Sequence, residues 1–342
     1  GDFLFSGLEM LESVTIPKGV TSIGDSAFLD CTKLTEVFTP DGLLSIGNSS
    51  FENCVELKEI QIPETVESIG DKAFAGCKML SSFTIPANAF VGEEAFSGCD
   101  RLTSVTLPIN AQTIPRAIFK GCTGLETLTI PVTVPSIGEL AFCDCSNLKT
   151  ITIPESVKSI GKGAFFKCSS LETVVIPNTI RAIPKGAFLR CQQLKSVTIP
   201  EGVSSIGTAA FCSCLHLVSI EIPPSVISIG SFAFKGCSKL KTITIPNSVK
   251  KIGKNAFSEC TELKSVHLPN LMSVINEELF CRCTKLKSLQ IPRGVKCIKQ
   301  RAFVDCKNLR RIDLPKTVTK IGNNAFSRCT RIQSFTFQEG TT

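Results

Sequence analysis

The sequence predicts a repeat solenoid with a parallel β-sheet on one face and short turns or helical segments elsewhere. Three observations carry that expectation. Fifteen phenylalanines, from Phe5 through Phe28 and Phe51 to Phe326, recur with thirteen intervals of 23 residues and one of 22, between Phe74 and Phe96. A cysteine stands three residues after each of them from Phe28 on, running from Cys31 to Cys329. Between cysteine and phenylalanine the apolar residues keep a fixed order, with almost no change in length. A constant period of about 20–50 residues marks stacked units, none of which can bury its apolar side alone.

Each coil divides into three pieces. The first is written by Leu148-Lys149-Thr150-Ile151-Thr152-Ile153-Pro154, where β-branched residues alternate and a proline closes the run; it reads as a short strand. The second is Val157-Lys158-Ser159-Ile160-Gly161, whose V-x-x-I spacing suits a further short extended piece. The third, x-x-A-F-x-x-C, would bring Ala, Phe and Cys to one face if it formed a helical turn. No linker or low-complexity stretch interrupts the period, so residues 1–342 are expected to form a single array of about 14–15 coils of 23 residues. The chain starts at Gly1 in mid-repeat and stops soon after Phe335-Thr336-Phe337 without a polar cap, so it is expected to be trimmed at both ends.

The order I-P, I-G, A-F and C-x-x-L, repeated from Phe5 to Phe337, resembles the BspA-like class of leucine-rich repeats, 23-residue repeats of bacterial surface type. The resemblance implies a right-handed solenoid used for recognition or adhesion, on a secreted or cell-surface protein whose signal or anchor lies outside this chain. It brings no catalytic residue and no cofactor.

Eighteen cysteines invite a disulfide reading, and the spacing opposes it. Fourteen occupy one slot of the coil, so their Cα–Cβ vectors run parallel and the Cβ atoms stay about 5 Å apart, where a disulfide needs about 3.8 Å. Buried free thiols acting as small apolar groups fit better. Cys143, Cys212 and Cys281 each follow a ladder phenylalanine and lie 69 residues apart, as do Pro115 and Pro184; both facts fit the copying of three-coil blocks. Metal is poorly served, since the two histidines, His216 and His267, lie outside the cysteine slot. The slot after the second isoleucine is usually glycine, but Pro115, Pro184, Asn276 and Lys299 also fill it. Proline forbids positive φ, so the glycine there should serve close approach between coils rather than a left-handed backbone.

Catalytic motifs are sparse. Gly24-Asp25-Ser26 resembles the G-D-S of a lipase family, yet it fills the slot that Gly70-Asp71-Lys72 fills one repeat pair later. With two histidines in 342 residues, a Ser-His or Cys-His pair is hard to assemble. The chain reads as a non-enzyme, and no apolar run approaches the roughly 18 residues that a membrane span requires.

Function must then lie in the surface. Strand positions expected to face outward are mostly Ser and Thr, as in Thr150/Thr152, Ser196/Thr198 and Thr242/Thr244, which suits a pleated surface. Trp and Tyr are absent, and of the phenylalanines Phe38 and Phe90 are expected to be exposed, so recognition by ring stacking is disfavoured. Residues 1–171 hold 12 Lys/Arg and 20 Asp/Glu, net −8, whereas residues 172–342 hold 25 and 10, net +15. Such a field steers anionic partners.

Part of that positive charge is ordered. Lys241, Lys264, Lys287 and Arg310 recur once per coil at what reads as the first outward position of the strand, with Arg311 beside the last. They are the candidate ligand-binding residues, and their reading is contact with a host or matrix protein or an anionic glycan or cell-wall polymer. Nucleic acid would find only nonspecific phosphate contacts. The alternative is a structural spacer solenoid with no dedicated ligand site.

Overall fold

The computed structural model describes residues 1–337 and divides the chain into two compact units, residues 1–171 and the part from Glu172 onward. Each is a parallel β-solenoid, with two ladders of very short strands and a third ladder made of turns.

In the first unit, the L-x-x-V-x-I-P segments give Ser13–Thr15, Glu36–Phe38 and Glu59–Ile60, paired in parallel with Ser13 opposite Glu36 and Glu36 opposite Glu59. Ser82–Thr84 pairs in the same way with Ser104–Thr106. The central residue of each points inward, and Val37 and Phe83 are buried, so the period-2 reading holds. The S-I segments form the second ladder: Ser22–Ile23, Ser45–Ile46, Ser68–Ile69 and Phe90–Val91 lie side by side. It is tied by the ladder glycines, whose N–H groups reach back one coil, Gly47 to the Ile23 carbonyl at 2.9 Å, Gly70 to Ile46 and Gly92 to Ile69, each at 2.8 Å. The next coil carries Pro115 in that slot. Proline has no N–H to give, and the run ends at Phe90–Val91.

The second unit repeats this plan. Thr173–Val175 pairs with Ser196–Thr198, Thr242–Thr244 with Ser265–His267, and Arg311–Leu314 with Ser334–Phe337. In its second ladder, Ala182–Ile183, Ser205–Ile206, Ser228–Ile229 and Lys251–Ile252 form one four-stranded run, and Val274–Ile275, Cys297–Ile298 and Lys320–Ile321 another. Between these runs Asn276 takes the glycine slot, and its side-chain amide donates to the Ile252 carbonyl at 2.6 Å.

The A-F-x-x-C piece departs from the helical expectation. There is no helix among the described residues, and the segment is a chain of turns. Two residues per coil take the left-handed region, such as Ser26 (φ 54°) and Asp30 (φ 60°), or Asn255 (φ 58°) and Glu259 (φ 64°). Left-handed residues break a right-handed helix. The hydrogen bonds show what replaces it: Ser26, Phe28 and Asp30 donate to Asn48, Ser50 and Glu52 of the next coil at 2.7, 2.7 and 2.9 Å. The intervening Ala27, Leu29 and Cys31 close local turns on Gly24, Ser26 and Phe28. Half of the donors thus serve neighbouring coils, and a helix would have kept them all inside one segment.

The core is the phenylalanine ladder. Rings in adjacent coils stack nearly parallel, with centroids 5.1 Å apart for Phe28 and Phe51, and 5.5 Å for Phe234 and Phe257. The glycines stand where coils approach most closely. A Cβ on Gly47 would lie 2.7 Å from the Asp25 nitrogen, and one on Gly253 would lie 2.2 Å from the Ser231 nitrogen. Their φ values lie outside the left-handed region, which agrees with the argument from Pro115 and Pro184.

All eighteen cysteines are free. The ladder thiols have a use that spacing did not reveal: they donate to the carbonyl of the phenylalanine one coil back, as Cys54 does to Phe28 and Cys260 to Phe234, both at 3.2 Å. Burial pushes the Cys77, Cys122 and Cys260 thiols far above their ordinary range. A buried thiol that stays neutral is a poor nucleophile. Titration with a thiol reagent at neutral pH should therefore find few fast groups in the native protein, led by half-buried Cys329, whose thiol is held below its ordinary range by the hydrogen bond with Cys306, and followed by half-buried Cys212 and Cys297. All eighteen should react after unfolding without reductant. A count that stayed near zero after unfolding would mean disulfides.

Candidate binding face

Lys241, Lys264, Lys287 and Arg310 stack in consecutive coils of the second unit. The backbone ties them into one column: Lys264 N–H donates to the Lys241 carbonyl at 2.8 Å, Lys287 to Lys264 at 3.3 Å, and Arg310 to Lys287 at 3.2 Å. All four are exposed. The column sits one residue before the strands Thr242–Thr244 and Ser265–His267, so it lines the entry to the first ladder. The first outward strand position expected for it belongs instead to Thr242, Ser265, Ser288 and Arg311. The offset follows from the pleat: Ile243 and Val266 turn inward, which sends their immediate neighbours outward and leaves the lysines just upstream.

Charge pairing separates these residues. No carboxylate among the described residues forms an ion pair with Lys241, Lys264, Lys287 or Arg310. Arg311, by contrast, lies on the strand and is held by Asp313, Nε to Oδ1 at 2.8 Å. Just upstream, Lys285 pairs with Glu262 at 2.8 Å, and this contact holds the Glu262 carboxyl below its usual range, with Lys239 and Lys264 adding to the effect. Arg331 donates to Asn308 at 2.6 Å.

Beside the column lies an open polar groove of about 530 Å³, lined by Ser265, His267, Asn270, Ser288, Gln290 and Arg293. His267 is therefore on the exposed face. His216 is engaged elsewhere, its Nδ1 lying 3.0 Å from the Gln192 carbonyl oxygen.

The catalytic leads dissolve into structural roles. Asp25 accepts from the backbone N–H of Asn48 at 2.7 Å and from its side-chain amide at 3.2 Å. Ser26 is buried at a left-handed turn. Cys143 and Cys145 are both buried, and the Cys145 thiol donates to the Phe119 carbonyl. Among the described residues no three His, Cys, Asp or Glu side chains stand together as metal ligands, and no helix is long and apolar enough to cross a membrane.

Stacked coils, parallel ladders and a phenylalanine-cysteine core define a leucine-rich repeat solenoid. The chain belongs to the BspA-type leucine-rich repeat family, whose six-copy repeat region matches residues 1–125, 90–217, 181–281 and 204–333. A leucine-rich repeat protein from Bacteroides ovatus is 29% identical and superposes with a TM-score of 0.74, over 100% of this chain and 85% of that one. A leucine rich cell surface protein from Faecalibacterium prausnitzii is 30% identical over 96% and 79% of the two chains, with a TM-score of 0.47. A leucine-rich repeat protein from Eubacterium ventriosum, 23% identical with a TM-score of 0.55 over 97% and 86%, shares the fold. A search among curated proteins finds no match.

Proposed function

We propose that this chain is a non-catalytic binding module of a secreted or cell-surface protein, which holds an anionic polymer or an acidic protein surface along its first ladder. The observation that carries this reading is the column Lys241, Lys264, Lys287 and Arg310, stacked coil upon coil by backbone hydrogen bonds. Fixing like charges at about 4.8 Å, the spacing of paired strands, costs Coulomb energy that an anionic partner would offset. The net charge of +15 over residues 172–342 adds long-range attraction. The polar groove at His267 and Arg293 gives the same face room for hydrogen bonds.

Binding to immobilised heparin is the direct test. Retention should fall steeply between low and high salt, because charges on an exposed face are screened beyond about 8 Å at physiological ionic strength. The variant K241E/K264E/K287E should lose retention. K307E/K316E/K320E, with the same net charge and substitutions at other exposed lysines of the unit, should keep most of it. Equal loss in both would leave only diffuse charge, and no retention by the wild type would favour the spacer reading, which the largely Ser/Thr strand face supports.

A further inference from the structure

In the first coils, the residue that follows the ladder glycine directs its backbone N–H at the same slot of the preceding coil. In four successive coils of the first unit, through Glu93, the chain supplies the acceptor itself. Asp25 N–H donates to Asp2 Oδ1 at 2.9 Å, Asn48 to Asp25 at 2.7 Å, Asp71 to Asn48 at 2.9 Å and Glu93 to Asp71 at 2.7 Å. One side-chain oxygen thus caps one N–H per coil, and in three of these four contacts it is an aspartate carboxylate.

In three consecutive coils of the second unit, those that follow Gly207, Gly230 and Gly253, the corresponding residues are Thr208, Ser231 and Lys254. The hydroxyls of Thr208 and Ser231 sit one bond closer to the backbone than an aspartate Oδ. No acceptor among the described residues meets the N–H of Ser231 or of Lys254. An unmet donor at the surface is free to take an external oxygen. The same place is an open groove of about 740 Å³, with Thr208 and Ser231 in its wall and Gly207, Gly230 and Gly253 beneath. Lys250, Lys251 and Lys299 border it, and among the described residues none of the three has a carboxylate partner.

We propose that this groove binds an acidic peptide segment, whose aspartate carboxylates enter the slots between Thr208 and Ser231 and between Ser231 and Lys254. The donors are the N–H groups of Ser231 and Lys254, the two hydroxyls, and the three ammonium groups at the border. Hydrogen bonds from N–H and ammonium to a carboxylate are the stronger, charge-assisted kind. A peptide is assigned over a polysaccharide because the occupant of the equivalent slot in the first unit is a peptide aspartate, held at 2.7 Å in the case of Asp25. The site lies on the second ladder and uses none of the residues of the first-ladder column.

The test rests on Asn48, which caps the Asp71 N–H without a charge. The variant T208N/S231N places that neutral cap over both free donors and leaves the net charge unchanged. Binding of a short poly-L-aspartate peptide to the full chain, measured by calorimetry at physiological salt, should weaken at least about tenfold in this variant, the loss of charge-assisted hydrogen bonds. Its thermal midpoint should be unchanged or higher. K250S/K251S should also weaken binding, and it serves if the first variant folds poorly. K241E/K264E/K287E should retain specific binding at this groove, which separates this site from the first-ladder reading. Unchanged affinity in T208N/S231N would overturn the proposal. So would a wild-type protein that binds polygalacturonate but not poly-L-aspartate, or one that binds neither.

Discussion

Phe234→Ala is expected to lower the unfolding free energy by about 3–5 kcal/mol, the range for emptying a large aromatic site in a core that cannot collapse. The ring is fully buried and stacks on Phe211 at 5.6 Å and on Phe257 at 5.5 Å. Both neighbours are anchored by backbone bonds to the next coil, since Phe211 and Phe257 donate from their N–H groups to Ala233 at 2.8 Å and to Leu279 at 3.1 Å. The cavity therefore keeps its walls. Phe326→Ala should cost clearly less, because that ring is only half-buried, stacked on Phe303 at 5.1 Å and meeting Phe335 edge-on at 5.2 Å. Urea denaturation of the two variants checks the contrast, and equal losses would deny the ladder its role as a continuous core.

Gly230→Ala should be damaging too, at the upper end of roughly 1–3 kcal/mol, for the opposite reason: one added methyl meets backbone that cannot move aside. Its Cβ would fall 2.4 Å from the Thr208 nitrogen and 2.6 Å from the Gly207 carbonyl carbon. The strand Ser228–Ile229 is paired on both sides, with Ser205–Ile206 and Lys251–Ile252, so relief would require parting coils that hydrogen bonds hold together. Gly42 provides the control. It has open space around the Cβ position and an ordinary φ, so Gly42→Ala should be neutral or slightly stabilising through the unfolded chain. Thermal melts of the pair would settle it, and similar behaviour would show that the glycine slot does not govern coil approach.

The proposed sites differ in how far they were legible. The lysine column could be found by reading one residue per period, and its stacking follows from the repeat. Its position one residue ahead of the strand could not, because the starting phase of a three-residue strand depends on which side chain the coil turns inward. The groove on the second ladder left a fainter trace. Asp2, Asp25, Asn48 and Asp71 occupy one slot, and Thr208, Ser231 and Lys254 follow in it later. That change of residue type is visible in the sequence, but its meaning requires the N–H direction.

The period, the inward phenylalanines and cysteines, the alternation of the first strand and the close approach at the glycines were all decided along the chain. Each depends only on a residue's place in its own coil, and identical coils stacked in register turn that place into a ladder. What pairs one coil with the next was decided in three dimensions. The A-F-x-x-C piece has a spacing that suits a helical turn, yet Ser26 and Asp30 are left-handed and alternate donors go to the next coil. A helix would satisfy its own backbone and leave the neighbouring coil's carbonyls without partners. The turn ladder satisfies both, and it leaves the phenylalanine carbonyl within reach of the cysteine thiol that the following coil brings beside it.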